Sequence, residues 1–533
     1  MDESPYAVVD VSRSPPRVEF PRRYNAAVDL LDRNVAEGRG ARVAVRDDLG
    51  DITYAALAAR ANRAGNALRS LGVELEDRVM LALLDTRDFP AVFLGAMKLG
   101  AVPVPINTLL TPNDYAFLLE DCRAKVLVVS DALVGKFAEA IAASPHLRHV
   151  VVASSPLGGN AGGRPTLEAM LAEASDFLDA APTTSDDVAF WLYSSGSTGA
   201  PKGAVHLHSH LVQTAALYGR GVLGIREDDV VFSAAKLFFA YGLGNSLTFP
   251  FSVGATAVLM AERATPAAVM RVMRERQPTI FCGVPTLYAA LLADEANGPA
   301  TGSRALRVST SAGEALPRHI GEKWRARFGT DILDGIGSTE LLHIFLSNRP
   351  GDVRYGTTGR AVPGYELRLV GDDGEPAPDG DEGSLWVSGP SACALYWNQR
   401  AKSLATFHGP WTRTGDRYVR AADGTYTYSG RADDMLKVSG IWVSPFEVES
   451  ALSQHPAVLE AGVVGHPDGD GLVKPKAFVV LKAGAGPSPE LADELKAFVK
   501  ERLAPYKYPR WIEFLPELPK TATGKIQRFR LRR

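Results

Sequence analysis

Apolar and polar positions alternate with two periods along the first two-thirds of the chain. Residues 53–72 carry alanine and leucine at helical spacing and end at Gly72, which predicts an amphipathic helix, and 89–100 predicts a second. Short β-branched apolar runs bounded by turn residues predict buried strands at 77–84, 101–107, 124–130, 148–154, 230–235, 254–260, 279–285, 305–313 and 330–337. Strands alternating with helices indicate βαβ units, and two such runs predict two doubly wound α/β subdomains.

The pattern changes near residue 352. Two strand-like runs surround a turn rich in glycine, proline and aspartate, and 417–431 form a second hairpin with Asp423-Gly424 at its turn, which predicts a small antiparallel β-barrel. After Arg431 a helix at 445–456, a strand at 476–481 and an amphipathic helix at 490–503 follow. We expect a large N-terminal domain over 1–432 and a small α+β domain over 433–533.

Composition narrows the class of protein. The 533 residues exceed one ordinary core, 46% are hydrophobic, and the net charge of −3 gives no sign of a nucleic-acid surface. The start lacks a long apolar run, and other apolar stretches are short for a membrane span, so we expect a cytoplasmic protein without a membrane partner. Cys122, Cys282 and Cys393 lie far apart, which favours reduced, partly buried thiols over a disulfide or a metal site.

The stretch YSSGSTGAPKG, residues 193–203, has the composition of a phosphate-binding loop. It lacks the G-K-[ST] ending of a P-loop, since Gly203 follows Lys202. An exposed glycine–serine linker is the alternative, but strand-like runs enter and leave the stretch directly. The stretch combines hydroxyl groups, glycine amides and one lysine, which together could hold a triphosphate. The residues that supply these groups are Ser194, Ser195, Gly196, Ser197, Thr198, Gly199 and Lys202.

Five further segments complete a pattern with this loop. They are SAGEAL (311–316), DGIGSTE (334–340), TGD (414–416), GRADDMLKVSG (430–440) and PKTATGK (519–525). In order and spacing the set resembles the adenylate-forming superfamily of acyl- and aryl-CoA ligases, peptide synthetase adenylation domains and luciferases. The resemblance covers essentially the whole chain. It implies that a carboxylate and ATP form an acyl-adenylate and pyrophosphate, after which a thiol displaces AMP.

The resemblance also implies roles for single residues. Lys525 would supply positive charge to the attacking carboxylate and the phosphate, Thr339 would donate to a phosphate, and Glu340 would hold Mg²⁺. An exposed tail lysine and a helix-start Thr-Glu pair are the structural alternatives. The adenine and ribose of ATP would meet Gly313, Glu314, Ala315, Asp334, Gly335, Asp416 and Arg431.

A hinge is implied at Asp433, so that rotation of the small domain would withdraw Lys525 and bring in a pantetheine channel. The channel residues would be Lys437, Ser439, Gly440 and Trp442, although an ordinary turn between strands explains this stretch too. Only eight residues follow Lys525, which favours free coenzyme A as the thiol over a fused carrier domain. A separate carrier protein and luciferase-type oxygenation are the other options.

The stretch KLFFAYGLGN, residues 236–245, indicates the acid. Together with the 336–348 segment it resembles benzoate-CoA ligases, with Phe239 as a steric gate. Small residues leave a slot against the backbone, and flat or apolar walls suit a planar ring. The predicted pocket residues are Phe239, Ala240, Tyr241, Gly242, Ile336, Gly337 and His343.

Several alternatives stay open at this point. The aromatic stretch could be core packing, and His343 could line the pocket, bind a ring substituent or be a satisfied core histidine. The rival functions are a hydroxybenzoate- or aminobenzoate-CoA ligase, a medium-chain fatty acyl-CoA ligase and a non-catalytic nucleotide-binding protein. ATP, Mg²⁺, coenzyme A and a small aromatic acid are the expected ligands, and the sequence leaves a homodimer open.

Overall fold

The computed structural model describes residues 4–194, 201–432, 434–438, 441–468, 473–503, 507–520 and 526–532. In these ranges the predicted alternation of strands and helices is confirmed, and the large part of the chain contains two open α/β sheets.

The first sheet is parallel and buried, as its continuous apolar runs require. In spatial order its strands are Val102–Pro105, Arg78–Ala82, Val126–Ser130 and His149–Ala153. The helices of this part are Tyr54–Ser70, Asp88–Leu99, Pro112–Cys122, Ala138–Ala143 and Leu167–Glu173, with a 3₁₀ helix at Asp131–Phe137. The first two helices cross at glycines, because a Cβ on Gly95 would lie 2.3 Å from the Ala61 carbonyl oxygen.

The second sheet is parallel at its centre and antiparallel at its edges. In spatial order its strands are Arg360–Ala361, Ile344–Ser347, Ile332–Gly337, Val308–Ser311, Ile280–Gly283, Val230–Ser233, Thr256–Val258, Val43–Asp47 and Gly50–Thr53. Its α-helices are His208–Thr214, Ala240–Leu243, Phe249–Val253, Pro266–Arg276, Pro285–Ala293 and Arg318–Phe328. π-Helical segments occupy Val28–Asp32, Val35–Arg39, Ala215–Arg220 and Gly244–Thr248.

The region after residue 352 is antiparallel, as predicted. The strands of its sheet are Glu366–Val370, Glu382–Ser388, Trp411–Arg420, Phe407–His408 and Tyr426–Arg431, and Arg400–Thr406 is helical. Two short antiparallel pairs complete this part of the chain, Val8–Asp10 with Arg17–Glu19 and Val188–Ser194 with Lys202–Leu207.

The C-terminal part is the predicted α+β unit with its own apolar core. The hairpin strands Leu436–Val438 and Ile441–Val443 precede a sheet of Val458–Pro467, Val473–Leu481 and Trp511–Phe514. Its helices are Pro445–Leu452, Pro489–Lys500 and Arg528–Leu531. Ser444 and Ser488 cap the first two helices with their side-chain oxygens, each directly before a proline.

Candidate active site

Three of the predicted segments leave the second sheet at the same edge. The acid-binding stretch follows strand Val230–Ser233, the adenine segment follows Val308–Ser311, and the Thr339-Glu340 pair follows Ile332–Gly337. These strands are parallel, so their carboxyl ends meet at one edge, which is where open α/β sheets bind ligands.

The predicted phosphate loop connects two paired strands. Ser194, at the end of Val188–Ser194, stands opposite Lys202, the first residue of the next strand. The Ser194 hydroxyl is buried and has no hydrogen-bond partner within the described ranges. Ser195, Gly196, Ser197, Thr198 and Gly199 lie outside the described residues, so the pairing fixes only where the loop begins and ends.

Glu340 lies at the centre of a small polar cluster. Its Oε1 accepts a hydrogen bond from the Tyr396 hydroxyl at 2.6 Å and lies 3.7 Å from the Lys202 ammonium. Lys202 also stands 4.5 Å from the centre of the Tyr396 ring. Burial would raise the pKa of Glu340, but Lys202 and Tyr396 lower it by more, so the carboxylate is held ionised. An ionised carboxylate is a hard oxygen ligand of the kind that Mg²⁺ prefers, so the residue present fits the predicted metal.

Thr339 lies in a turn rather than a helix. Residues 338–343 connect two antiparallel strands, with Leu342 at a φ of +64°. The alternative that Thr339 and Glu340 start a helix is therefore wrong. The Thr339 carbonyl oxygen lies 2.8 Å from Nε2 of His206, and the Glu340 carbonyl accepts the Cys393 amide at 2.7 Å. The turn is thus fixed from two sides.

The predicted adenine segment contacts Asp334. Gly313 is exposed with a φ of +96°, a conformation that favours glycine, and Glu314 and Ala315 follow it half-buried. Burial raises the pKa of Asp334 well above its usual value, against the opposing amides of Leu316 and Gly335. Its Oδ1 has no hydrogen-bond partner among the described residues. A buried acceptor without a donor at this sheet edge is suited to an amino group of a ligand.

The two predicted ribose residues are direct cross-strand neighbours. Asp416 on Trp411–Arg420 is paired with Arg431 on Tyr426–Arg431, and their side chains approach to 3.3 Å. Gly415 leaves room for this pair, because a Cβ there would lie 2.9 Å from the Arg431 guanidinium. Burial, followed by the charges of Asp416 and then Asp334, raises the pKa of Tyr418. The ribose and adenine candidates therefore lie near the same buried phenol.

The acid-binding prediction brings Tyr241 and His343 together. Their ring centres are 5.6 Å apart, and His343 also contacts the rings of Tyr218 at 5.3 Å and Phe249 at 4.4 Å. The Tyr241 hydroxyl is bound to the Thr310 hydroxyl at 2.6 Å, so the tyrosine presents its ring rather than its oxygen. Burial lowers the pKa of His343 to about 3, although the Tyr241 main chain opposes this, so the imidazole is neutral.

The small residues of the predicted pocket are required by close packing. A Cβ on Gly242 would lie 2.0 Å from the Lys236 carbonyl oxygen, and one on Gly337 would lie 2.5 Å from the His343 carbonyl oxygen. Ile336 and Tyr241 are half-buried against one core cluster, whereas Phe239 and Ala240 pack against another. The pocket segment thus joins two cores.

The start of this segment is held by the buried side chain of Asp85. Asp85 accepts the Leu237 amide at 3.2 Å, while the Lys236 ammonium donates to the main-chain oxygen of Glu262 at 2.7 Å. Burial raises the pKa of Asp85 to about 6, and Lys236 and the amide oppose this increase. Phe239 follows as the residue before helix Ala240–Leu243, with its ring 4.5 Å from that of Phe238.

The small-domain side of the site is only partly described. Lys525, Asp433, Ser439 and Gly440 lie outside the described residues. Lys437 and Trp442 stand opposite each other on the hairpin, which is consistent with the turn that we kept as an alternative. The residue after Lys525 is informative, because the Ile526 amide donates to Oε1 of Glu314 at 3.3 Å. The residue that follows Lys525 therefore contacts the predicted adenine segment.

Sequence reasoning missed several residues of this site. Tyr396, Thr310 and His206 contact Glu340, Tyr241 and Thr339, yet none belongs to a segment of the motif set that we assigned to ATP or acid. The three histidines at 206, 208 and 210 were a visible cluster near the last contact, although only His206 lies on the strand and the other two begin the following helix.

Other predictions concern the whole chain. The three cysteines are free and buried, as expected. Across the described ranges, no helix has the length and apolar character needed to cross a membrane. No group of three or more His, Cys, Asp or Glu side chains in the same ranges could enclose a metal ion.

Comparisons with known proteins identify the family of the chain. The model of the AMP-binding enzyme family matches residues 31–397, and that of the AMP-binding enzyme C-terminal domain matches 447–525. The benzoate–CoA ligase of Thauera aromatica is 60% identical over 99% of both chains. The 4-hydroxybenzoate–CoA/benzoate–CoA ligase of Rhodopseudomonas palustris is 52% identical over 96% of this chain and 94% of its own.

Solved structures give the same result for the fold. A benzoate CoA ligase from Burkholderia xenovorans LB400 superposes with a TM-score of 0.89 at 54% identity, covering 96% of this chain and all of that one. Sequence motifs, site geometry and full-length similarity coincide, and the chain belongs to the AMP-binding enzyme family of adenylate-forming enzymes.

Proposed function

We propose that the protein is an AMP-forming aryl-CoA ligase that activates benzoate. The observation that carries the proposal is the aromatic wall of the candidate pocket, in which Tyr241 and His343 stand side by side and the Tyr241 hydroxyl is already bound to Thr310. A wall of ring faces suits a planar ring better than a flexible alkyl chain. The similarity to benzoate–CoA ligases over essentially the full chain supports the same acid.

The reaction has two steps. A carboxylate oxygen of benzoate attacks the α-phosphorus of ATP, a P–O bond to pyrophosphate breaks, and benzoyl-AMP forms. The sulfur of coenzyme A then attacks the benzoyl carbonyl carbon, its proton passes to solvent, and AMP leaves with the bonding electrons. Negative charge accumulates on both partners of the first step, so fixed donors and positive charge lower its barrier.

Different residues of this chain would bind the different parts of ATP. Asp334 would accept a hydrogen bond from the adenine amino group, Asp416 would accept hydrogen bonds from the ribose hydroxyls, and Thr339 would donate one to a phosphate oxygen. The Lys202 ammonium lies beside the Glu340 carboxylate, so Lys202 would leave Glu340 and bind a phosphate group when ATP enters. Glu340 would hold Mg²⁺, which would supply positive charge against the negative charge of the phosphates. Lys525 would approach the acid and the α-phosphate from the small domain.

Free coenzyme A is the proposed acceptor. The hairpin of Leu436–Val438 and Ile441–Val443 carries the predicted channel residues Lys437, Ser439, Gly440 and Trp442. Rotation at Asp433 would bring this hairpin to the adenylate after Lys525 has withdrawn, so that one site serves both steps.

An acid panel tests the proposal. Purified protein, ATP, Mg²⁺ and coenzyme A are incubated with benzoate, 4-hydroxybenzoate, 2-aminobenzoate or hexanoate, and pyrophosphate and thioester are measured. We expect the highest kcat/KM with benzoate and little turnover with hexanoate. Turnover of hexanoate without turnover of benzoate contradicts the aryl assignment, and binding of ATP without turnover of any acid leaves a non-catalytic nucleotide-binding protein.

A hydroxybenzoate is the second candidate acid. The buried His343 ring has no hydrogen bond of standard geometry among the described residues, since only the Tyr241 main chain approaches it, and a ring hydroxyl of the substrate could supply one. The Rhodopseudomonas palustris relative carries both acids in its name. If 4-hydroxybenzoate is the better substrate, His343→Phe should reverse the preference, since only the hydroxylated acid would lose a hydrogen bond.

A further inference from the structure

One face of the strand that leaves the phosphate loop contacts the Thr339-Glu340 turn. Lys202, Ala204 and His206 are two residues apart on strand Lys202–Leu207, so they share a face. On this face the Lys202 side chain approaches the Glu340 carboxylate and the His206 ring contacts the Thr339 carbonyl, while the Ala204 main chain pairs with that of Tyr396. The loop and the turn that would bind the same triphosphate are therefore joined by one short strand.

The contact of His206 determines where its proton lies. The residue is fully buried, and its ring stacks on Phe190 at 5.2 Å with an angle of 18° between the planes. Nε2 lies 2.8 Å from the Thr339 carbonyl oxygen. A carbonyl oxygen only accepts, so Nε2 of His206 carries the proton and donates it.

His210 supports this arrangement from the other side of the ring. Its Nδ1 lies 3.1 Å from Nδ1 of His206, and the two rings meet edge to face. The Leu207 amide donates to the same Nδ1 of His210 at 3.3 Å, so the contact between the two imidazoles does not itself place a proton, whereas the Thr339 carbonyl places one on Nε2 of His206. Burial lowers the pKa of both histidines, that of His206 to about 4, in agreement with neutral rings.

We propose that His206 is a positioning residue for the adenylation step, which holds the Thr339 peptide so that Thr339 and Glu340 face the phosphates of ATP and the associated metal ion. The inference rests on the proposed function, because it gives Thr339 and Glu340 their roles in that reaction. His206 itself contacts no substrate. Its effect passes through the 2.8 Å hydrogen bond to the main chain.

The test measures binding before turnover. Calorimetry with Mg²⁺ and a non-hydrolysable ATP analogue, without acid, gives Kd for the wild type, His206→Leu and His206→Gln. We expect His206→Leu to weaken binding about tenfold to a hundredfold, as loss of a group that orients a metal ligand does. Gln can donate to the Thr339 carbonyl, so His206→Gln should restore Kd to within about threefold of the wild type.

His208→Leu is the matched control. His208 is equally buried on the following helix, but its Nδ1 accepts the Ala26 amide, away from the turn. The control should lower thermal stability and leave Kd unchanged. Thioester formation from supplied benzoyl-AMP and coenzyme A should stay within about twofold in all variants, because that step does not use the metal-bound triphosphate.

Three results would overturn the positioning role. They are a His206→Leu protein that binds the analogue like the wild type, a His206→Gln protein no better than His206→Leu, and a His208→Leu protein that loses as much affinity. If His206→Leu does not fold, His206→Asn replaces it, since the shorter amide keeps polarity without the reach of the imidazole. Because the calorimetry contains no acid, failure of benzoate activation in the acid panel is seen separately.

Discussion

Opposite charges meet at the large-domain half of the site, whereas like charges meet where the small domain approaches it. Lys202 faces Glu340, and Arg431 faces Asp416. At the boundary, Lys482 of the small domain lies near Lys323 and His319 of helix Arg318–Phe328, and burial followed by these lysines lowers the pKa of His319 to about 4. The candidate nucleotide-binding half therefore contains attractive charge pairs, and the boundary between the domains includes a repulsive one.

This difference fits the two tasks of the proposed reaction. A surface that binds ATP is more effective when its donors are already oriented. A domain that has to rotate between two steps benefits when its contact with the rest of the protein is weak, because a weak contact adds little to the free-energy barrier of rotation. The Ile526 amide, one residue after Lys525, donates to Glu314 of the large domain at the long distance of 3.3 Å.

Replacing Lys525 gives the largest expected effect. Lys525→Ala should reduce benzoyl-AMP formation at least a hundredfold, on the order of the loss of one preorganised transition-state donor. Thioester formation from supplied benzoyl-AMP should be spared, because the two steps use different faces of the small domain. Pyrophosphate release and thioester formation are measured separately.

Lys520→Ala is the control for this variant. Lys520 belongs to the same segment but pairs with Glu460 at 2.5 Å. It should affect neither step by more than about twofold, as expected for a partly exposed ion pair. Equal loss of both steps in Lys525→Ala would contradict the division of the domain into two faces.

Acid should destabilise the large domain. Burial holds the pKa of His208 at about 4 and that of His343 at about 3, so both are neutral when folded. The unfolded chain protonates them below about pH 6.5 and binds more protons, so the free energy of unfolding falls as pH drops from 6.5 towards 4. The slope is about 1.4 kcal/mol per pH unit for each histidine.

Urea unfolding between pH 7 and 5 measures this slope. His208→Leu should have a slope smaller by about 1.4 kcal/mol per pH unit, since one titrating group is removed. An unchanged slope in that variant would show that His208 is not held neutral by the fold.

Tyr396 tests the attraction around Glu340. Tyr396→Phe removes the 2.6 Å hydrogen bond to Oε1 and should raise KM for MgATP about tenfold, within the range of one bond to a charged group. Tyr355→Phe is the control, because Tyr355 donates to Asp331 at 2.9 Å, away from the Thr339-Glu340 turn. Initial rates at saturating benzoate give KM for MgATP in both variants. Equal increases of KM in Tyr396→Phe and Tyr355→Phe would argue against a specific role of Tyr396.

The boundary itself gives the smallest expected effect. Lys482→Glu replaces repulsion of Lys323 by attraction and should slow thioester formation from supplied benzoyl-AMP about threefold, as a surface ion pair of up to about 1 kcal/mol allows. Lys482→Gln should have a weaker effect on this rate. Salt at about 0.5 M should cancel the effects of both substitutions. A slower adenylation step, with thioester formation unchanged, would reverse the interpretation.

The order of elements and the site motifs could be predicted from the sequence, because both depend on local information. Helix 53–72 was predicted from its spacing and is observed as Tyr54–Ser70. The environment of a residue could not be predicted in the same way. Nothing adjacent to Glu340 in the sequence indicates that Tyr396 binds it, because that contact joins residues 56 positions apart.

His343 illustrates the same limit. Its place among the candidate pocket residues came from a resemblance, whereas its neutral state depends on rings from Tyr218, Tyr241 and Phe249. Those residues lie more than ninety positions away along the chain. Local patterns therefore identified the groups, and only the fold gives their charge and partners.

Ion pairs connect the helix Arg528–Leu531 to the beginning of the small domain. Arg528 forms ion pairs with Glu449 at 2.7 Å and with Asp434 at 3.4 Å, and Arg532 reaches Asp434 at 2.6 Å. The two ends of the small domain are therefore joined, because Arg528 and Arg532 near its C-terminus form ion pairs with Asp434 at its beginning. A movement of the chain at Asp434 would therefore be transmitted to Arg528 and Arg532 directly through these ion pairs, without passing along the roughly ninety residues between them.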